Sequence, residues 1–166
     1  MTTLVPLPTA KTPADFVLDP HRDPFHLHVI ASHFTYPEVD AHFSALEAFY
    51  ASYLARRPRA HIGLLADARR SPYADARSRQ RVAQTFAKVA TLLSGNQSVA
   101  HAIVTNNALT RGALTAILWV FSPPWQIRVF TSMFEADSWL RESLTARGVI
   151  SSFPPQAWWC EAGVPA

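Results

Sequence analysis

Histidines are the residues of this chain whose side chains could most readily do chemistry, since imidazole binds zinc and transfers protons near neutral pH. The chain has seven. His26 and His28 stand two positions apart in the run FHLHV, so a strand would place them on one face. Two further apolar runs carry His61 and His101, and another carries Arg128. We therefore predict that these five side chains collect on one open face of a sheet.

Three interpretations of this open face remain. A half-covered sheet tolerates polar side chains on its free side. Alternatively, the apolar C-terminal tail 148–166, which contains Trp158 and Trp159, covers the face of its own chain or of a second copy. The third interpretation is zinc binding by the His-x-His pair and one more histidine. No cysteine or carboxylate cluster supports it, so we expect neither a metal nor a cofactor.

Catalytic patterns are weak in this sequence. A Gly-x-Ser-x-Gly motif is absent, and Cys160 lies in the tail. The spacing of Asp19, Asp23 and Asp67 does not demand acid–base chemistry. Asp67 follows a strand-like run, and α/β active sites often lie at such carboxyl ends. We nevertheless predict a protein that is not an enzyme and has no catalytic residues.

Composition favours one globular domain, because 49% of the 166 residues are hydrophobic and only 16% are charged. The net charge of +3 is too small and too dispersed to predict nucleic-acid binding. A single cysteine fits a reducing compartment. The N-terminus does not resemble a signal peptide, and the apolar run 113–121 is too short to span a membrane. We therefore expect a cytoplasmic protein with no membrane span.

Hydrophobic periodicity predicts strands that alternate with amphipathic helices. The predicted order is ββαβαβαβα, with a hairpin over residues 15–32 and parallel βαβ units after it. Residues 1–14, rich in proline and threonine, are predicted to form a flexible arm. The domain then covers residues 15–147, and the apolar tail follows it.

Capping residues mark the predicted helix ends. Thr35 precedes the first helix, and Ser132 precedes the last, which Gly148 is expected to stop. For the second helix we predict Ser71 as the cap and Pro72 as the first helical residue. Three arginines early in this helix are expected to be solvated: Arg77, Arg79 and Arg81.

The last strand and helix carry the pattern with the most specific resemblance to a known family. Phe130 ends the strand, and the helix contains Ala136, Trp139 and Leu140 in an Ala-x-x-Trp-Leu pattern. Over residues 15–145 the chain resembles the SpoIIAA-like branch of the STAS superfamily, common in bacteria. The resemblance implies a βα superhelix: a mixed five-stranded sheet with helices mainly on one face. Trp139 is predicted to anchor the core, together with the other three residues.

The resemblance also implies a partner-binding surface. STAS anti-sigma-factor antagonists are switched by phosphorylation of a serine in an Asp-Ser-Ser-Gly motif. Here that place reads Asp75-Ala76-Arg77-Ser78, so Ala76, which cannot accept a phosphate, stands where the serine is expected. The loop and helix start remain the predicted contact surface: Arg69, Arg70, Ser71, Tyr73, Asp75 and Ser78.

Two functions therefore stand as hypotheses. The first is a non-catalytic STAS-like module that binds a protein partner or a second copy of itself as a homodimer. The second is a carrier or sensor of a small apolar ligand or lipid, bound between helices. It is favoured by the apolar content, by the aromatic helix 37–54 and by the segment AILWVFSPPW.

Overall fold

The structure, a computed structural model, describes residues 17–22, 24–29, 35–70, 75–93, 99–120 and 123–149. Strands and helices alternate along these residues, which confirms the predicted α/β class. The strands are β1 (Val17–Arg22), β2 (Phe25–Val29), β3 (Ile62–Asp67), β4 (Val99–Val104) and β5 (Gln126–Phe130). The helices are α1 (Tyr36–Arg56), α2 (Ala76–Leu92), α3 (Ala108–Val120) and α4 (Met133–Thr145).

The strands lie side by side in chain order, β1-β2-β3-β4-β5. β2 to β5 run parallel, and β1 pairs antiparallel with β2. β1 continues through Pro20, and its pairing with β2 is irregular between Asp19 and Arg22. Proline is tolerated there because β1 is an edge strand and its N–H groups need no partner on the outer side.

Chain order explains which face each helix covers. Each crossover from β2 to β5 steps to the next strand in the same direction, and parallel crossovers are almost always right-handed, so α1, α2 and α3 belong on the same face. Their apolar side chains pack with Ile62, Leu64 and Val99 in one cluster and near Ile103 in another. α4 is not a crossover, so it is free to return across the opposite face.

α4 forms a second core on that opposite face. Leu140 and Leu144 are almost fully buried with Leu65, Ala102 and other residues of the sheet. Gly63 makes room there, because a Cβ atom at this position would lie 2.8 Å from the Phe25 ring. The prediction of an open sheet face is therefore wrong where α4 lies, because the apolar side of α4 covers β3 and β4.

The helix caps follow the sequence prediction at α1 and α4. Thr35 precedes α1, and its N–H donates to Glu38 at 2.6 Å, a hydrogen bond that lowers the pKa of Glu38. Ser132 precedes α4 and accepts a hydrogen bond from the Glu135 N–H. Gly148 follows α4 with a φ of 79°, a backbone conformation that glycine adopts without a steric penalty. These predictions are confirmed.

Candidate functional site

An apolar cavity of about 120 Å³ lies between the sheet and helices α1, α2 and α3; we call it the sheet–helix cavity. Most of its walls are aliphatic or aromatic side chains. The sheet contributes Ile62, Leu64, Ala66, Val99 and Ile103, and the helices contribute Val39, Leu46, Val82, Phe86, Leu114 and Ile117. The cavity therefore offers a hydrophobic environment with few groups that could bind a charged ligand.

Small side chains help to leave this space open. Ala66 and Ala68 occupy the carboxyl end of β3 on the side of the sheet that faces α3, and both are buried. Ala113 lines the cavity from α3. On α3, Ile117 is buried, whereas Leu114 is only half-buried. α3 thus lies against the sheet without filling the volume beneath it.

A charged network joins α1 to α2 beside the cavity. Arg81, whose side chain is only 6% exposed, donates to Asp40 and Ser44, and to Glu47 at 2.6 Å. Thr85 accepts a further hydrogen bond from Arg81 at 2.7 Å and donates to Glu47 at 2.8 Å. The prediction that Arg81 is solvated is wrong, because α1 supplies acceptors that the α2 sequence alone does not contain.

Glu47 is the acceptor at the centre of this network. Partial burial by itself would raise its pKa, but hydrogen bonds from Arg81, Lys88 and Thr85 together lower the pKa of Glu47 to about 2. Lys88 approaches the second carboxylate oxygen at 2.9 Å. Glu47 is therefore ionised across the physiological range and fixes how α1 lies against α2.

The sheet–helix cavity also has polar wall atoms. Thr110 Oγ1 and Trp125 Nε1 are buried, and neither has a hydrogen bond to any residue that the structure describes. His101 lines the cavity as well, with its ring 5.9 Å from the ring of Phe86. Tyr50, another wall residue, is fully buried, and burial raises the pKa of its hydroxyl well above the ordinary value. The hydroxyls of Thr110 and Tyr50 and the indole of Trp125 are therefore uncharged polar groups of the wall.

The structure corrects the predicted histidine face. His101 is 4% exposed and lies on the side that faces α1, α2 and α3. Arg128 is exposed on the opposite side, since it pairs with Ala102, and its guanidinium carbon lies 5.5 Å from the centre of the Trp139 ring. The prediction placed His101 and Arg128 together because strand alternation was counted within each strand. The register between strands, which the sequence does not give, separates them.

The other three histidines of that prediction are only partly described. His26 pairs with Leu64 and His28 with Ala66, but their side chains lie outside the described part of the structure. His61 precedes β3 and is half-buried. Its Nδ1 atom has no hydrogen-bond partner among the described residues.

The predicted partner surface divides into paired, buried and exposed residues. Arg69 donates to Asp67 through Nε and Nη2, each at 3.0 Å. The carboxylate at the carboxyl end of β3 is therefore held in an ion pair with this guanidinium. Arg70 and Asp75 are exposed. Ser78 is 3% exposed and lines the cavity, so the prediction of Ser78 as a partner contact is wrong. Its burial follows from its place in the first turn of α2, on the side that faces the sheet.

The start of α2 differs from the prediction. Asp75 is the N-cap, and its carboxylate accepts a hydrogen bond from the Ser78 N–H at 2.7 Å. The prediction of Ser71 as the cap and Pro72 as the first helical residue is wrong for this reason: an aspartate nearer the helix performs the same function. Ser71 and Tyr73 themselves lie outside the described residues.

The four predicted anchors lie at the junction of β5 and α4. Ala136 and Leu140 are completely buried, and Trp139 is 8% exposed. The ring of Phe130 lies 5.7 Å from that of Trp139. The Ala-x-x-Trp-Leu pattern thus places one side of α4 against the sheet, with the indole under the guanidinium of Arg128.

Two further predictions concern the two terminal segments of the chain and the binding of a metal ion. The arm 1–14 and nearly all of the tail 148–166 fall outside the described residues, including Trp158 and Trp159. Across the described part of the chain, no group of three or more His, Cys, Asp or Glu side chains could hold a metal ion.

Sequence reasoning missed the main features of this site. Trp125 was noted only as part of an apolar segment, and Glu47, Thr85 and Arg81 were not connected. One signal was present: polar residues at positions 78, 81 and 85 recur with helical spacing on the side of α2 that also carries Val89. A buried polar stripe of this kind predicts a partner helix with acceptors.

Comparison with known proteins gives no family for this chain: no family model, no curated protein and no solved structure matches it. Among the described residues, no helix is both long enough and apolar enough to cross a membrane.

Proposed function

We propose that this protein binds a small apolar molecule in the sheet–helix cavity and acts as a carrier or sensor. The observation that carries this proposal is the cavity itself, about 120 Å³ of space with almost wholly apolar walls. Small-molecule sites in proteins are concave and mostly apolar, with a few polar groups that orient the ligand. His101, Thr110 and Trp125 supply polar groups of this kind.

The energetic argument supports an occupant. A fully enclosed cavity of this volume costs on the order of 3 kcal/mol when empty, at about 24 cal/mol per Å³, and because this cavity is partly open that figure is an upper bound. That is a large part of the net stability of about 5–15 kcal/mol that domains have. Apolar cavities of about 150 Å³ remain dry and bind molecules as large as benzene. A ligand of that kind would supply the van der Waals contacts that the walls of an empty cavity lack.

The positions of the buried carboxylates favour a binding function over a catalytic one. Asp67 and Asp137 are buried carboxylates, and each is bound by an arginine close to it in sequence, Arg69 and Arg141 respectively. Neither aspartate is among the residues that line the cavity. Both carboxylates are therefore engaged in ion pairs away from the cavity.

Native mass spectrometry and thermal denaturation test the proposal. We expect the purified protein to carry a small co-purified mass, or to be stabilised by toluene, naphthalene or 2-octanone. A ligand at 100 times its Kd stabilises by about 2.7 kcal/mol, which raises Tm by roughly 5–10 °C in a domain of this size. No bound mass, together with an unchanged Tm for all three compounds, would overturn the proposal.

A pair of variants on α3 provides the control. Ala113→Leu places extra volume in the cavity, so it should abolish the Tm increase caused by 2-octanone. Ala116→Leu makes the same change on the exposed side of α3 and should leave that increase intact. If both variants retain the full increase, the ligand does not occupy the sheet–helix cavity.

A protein-interaction role is the second candidate function, in line with the STAS resemblance. The outer side of α3 is apolar and exposed: Leu109 is 63% exposed and Trp119 is 86% exposed. Gly112 and Ala116 are exposed between them and would allow another helix to approach closely. Because these four exposed residues are uncharged, the partner proposed for them is a second copy of the chain.

Sedimentation equilibrium separates this second function from the first. A homodimer through α3 predicts a mass that doubles with protein concentration, and Trp119→Gln should shift the midpoint to at least tenfold higher concentration. Phe134→Gln, a change at another exposed aromatic residue, is the matched control. A monomer at every concentration would exclude the homodimer and leave the ligand proposal unaffected.

A further inference from the structure

The polar wall atoms of the sheet–helix cavity restrict the chemistry of its ligand. Trp125 lines the cavity, its Nε1 is a buried donor, and no described residue accepts its hydrogen. An indole N–H can only donate, so the complementary ligand atom must be an acceptor. Leaving a buried donor unpaired is unfavourable, and a ligand oxygen would remove that cost.

The position of Trp125 shows where the acceptor must lie. Trp125 immediately precedes β5, whose first residue, Gln126, pairs with Ala100 near the start of β4. It therefore stands at the amino end of the parallel strands. Thr110 lies in the first turn of α3, beyond the carboxyl end of β4. The two polar groups are separated by roughly the length of β4, about 3.3 Å for each residue of the strand.

The wall between these two ends is mainly apolar. Leu64, Ala66 and Ile103 line it from the sheet, and Ile117 lines it from α3. Among the described lining residues, the only Asp, Glu, Lys or Arg is Arg79, in the first turn of α2 at the Thr110 end. A carboxylate at the Trp125 end would thus have no Lys or Arg of the described lining beside it, whereas a neutral oxygen needs none.

We propose that the ligand is a slender, mainly apolar molecule with a neutral oxygen acceptor at one end, hydrogen-bonded to Trp125 Nε1. This inference rests on the proposed function and names its ligand class: a medium-chain ketone, aldehyde or ester, with its alkyl chain running along β4 towards α3. The N–H of Trp125 donates to the ligand oxygen, and the aliphatic side chains of the wall pack against the alkyl chain.

Two isosteric probes test this inference, 2-octanone and 2-methyl-1-octene. The alkene replaces the carbonyl oxygen by a methylene group and keeps the shape. We expect the ketone to bind about tenfold more tightly, the usual contribution of one hydrogen bond in a buried site. In ¹H–¹⁵N spectra, the indole resonance of Trp125 should move downfield with the ketone and much less with the alkene.

Matched variants locate the hydrogen bond. Trp125→Phe removes the N–H, so the tenfold preference for the ketone should fall to about one, while the change in ring volume affects both probes alike. Thr110→Val is isosteric, removes the hydroxyl at the other end and should keep the preference. Loss of the preference in Thr110→Val instead would overturn the placement of the acceptor.

The results distinguish this inference from the proposed function. Equal binding of the two probes, with no ketone-specific shift of the Trp125 resonance, would refute the neutral acceptor but retain an apolar site. Binding of neither probe, together with no response to toluene or naphthalene, would refute the apolar site itself. The spectral measurement uses the unaltered protein, so it tests for the hydrogen bond from Trp125 Nε1 to the ligand even if Trp125→Phe does not fold.

Discussion

Arg81 of α2 donates to Glu47 of α1 at 2.6 Å, across 34 positions of sequence. The guanidinium is buried and also contacts Asp40, Ser44 and Thr85, so one side chain links two helices through several acceptors. Charged hydrogen bonds of this kind are stronger than neutral ones and depend on geometry. The orientation of α1 against α2, and hence one wall of the sheet–helix cavity, depends on this pair.

Removal of the Glu47 charge should make the protein less stable at neutral pH but not in acid. The folded state lowers the pKa of Glu47 from 4.5 to about 2, so its stabilising contribution is fully present above pH 4.5 and disappears as the pH falls to about 2. We expect Glu47→Gln to cost up to about 3 kcal/mol at pH 7. Urea denaturation of both proteins at several pH values measures the difference.

Glu142→Gln is the matched control for that experiment, because Glu142 is exposed on α4. Its free energy of unfolding should stay within about 0.5 kcal/mol of that of the unaltered protein at every pH. A Glu47→Gln deficit that is the same at pH 7 and at pH 2 would show that the lost contact is not electrostatic.

Gly63→Ala should destabilise the α4 side of the core. The added Cβ would lie 2.8 Å from Phe25 Cδ1 and 3.0 Å from Leu144 Cδ1, and Phe25 is completely buried. Overpacking of this kind costs about 1–3 kcal/mol. Chemical denaturation should show a lower midpoint with an unchanged slope. Equal stability would mean that the Phe25 ring moves without cost, contrary to the close packing of this core.

Sequence patterns were informative where a structure depends on neighbours along the chain. The Thr35 and Ser132 caps, the stop at Gly148 and the burial of one side of α4 all involve residues within one or two turns of each other. The α/β class also follows from local periodicity, since strands and helices have different repeats. The cap of α2 was predicted at Ser71 and lies at Asp75, and both residue types cap helices well, so residue type alone does not favour one position.

Contacts between distant segments could not be predicted in the same way. His101 and Arg128 were assigned to one face because alternation within a strand does not fix the register between strands. The sequence of α2 alone predicts a solvated Arg81, because the acidic acceptors of Arg81 lie on another helix. The sheet–helix cavity depends on how far three helices stand from the sheet, a distance that no local pattern encodes.

Trp139→Ala should be far more costly than the same change at Trp119. Trp139 is 8% exposed and packs with Phe130, whereas Trp119 is 86% exposed. Truncation of a buried tryptophan costs about 3–5 kcal/mol, mostly through lost burial and the cavity left behind. Urea midpoints of the two variants test this. Similar midpoints would mean that Trp139 does not anchor α4.

Gly112→Ala should stabilise the protein, because Gly112 lies inside α3 and its Cβ would meet nothing within 4 Å. Glycine in a helix interior is about 0.8–1.0 kcal/mol less favourable than alanine, so Tm should rise by roughly 2–4 °C. Gly148→Ala is the opposite case, since its φ of 79° is strained for any residue with a Cβ, and its Tm should fall. Thermal denaturation of both variants compares them directly. A rise at Gly148 as large as that at Gly112 would contradict the left-handed turn after α4.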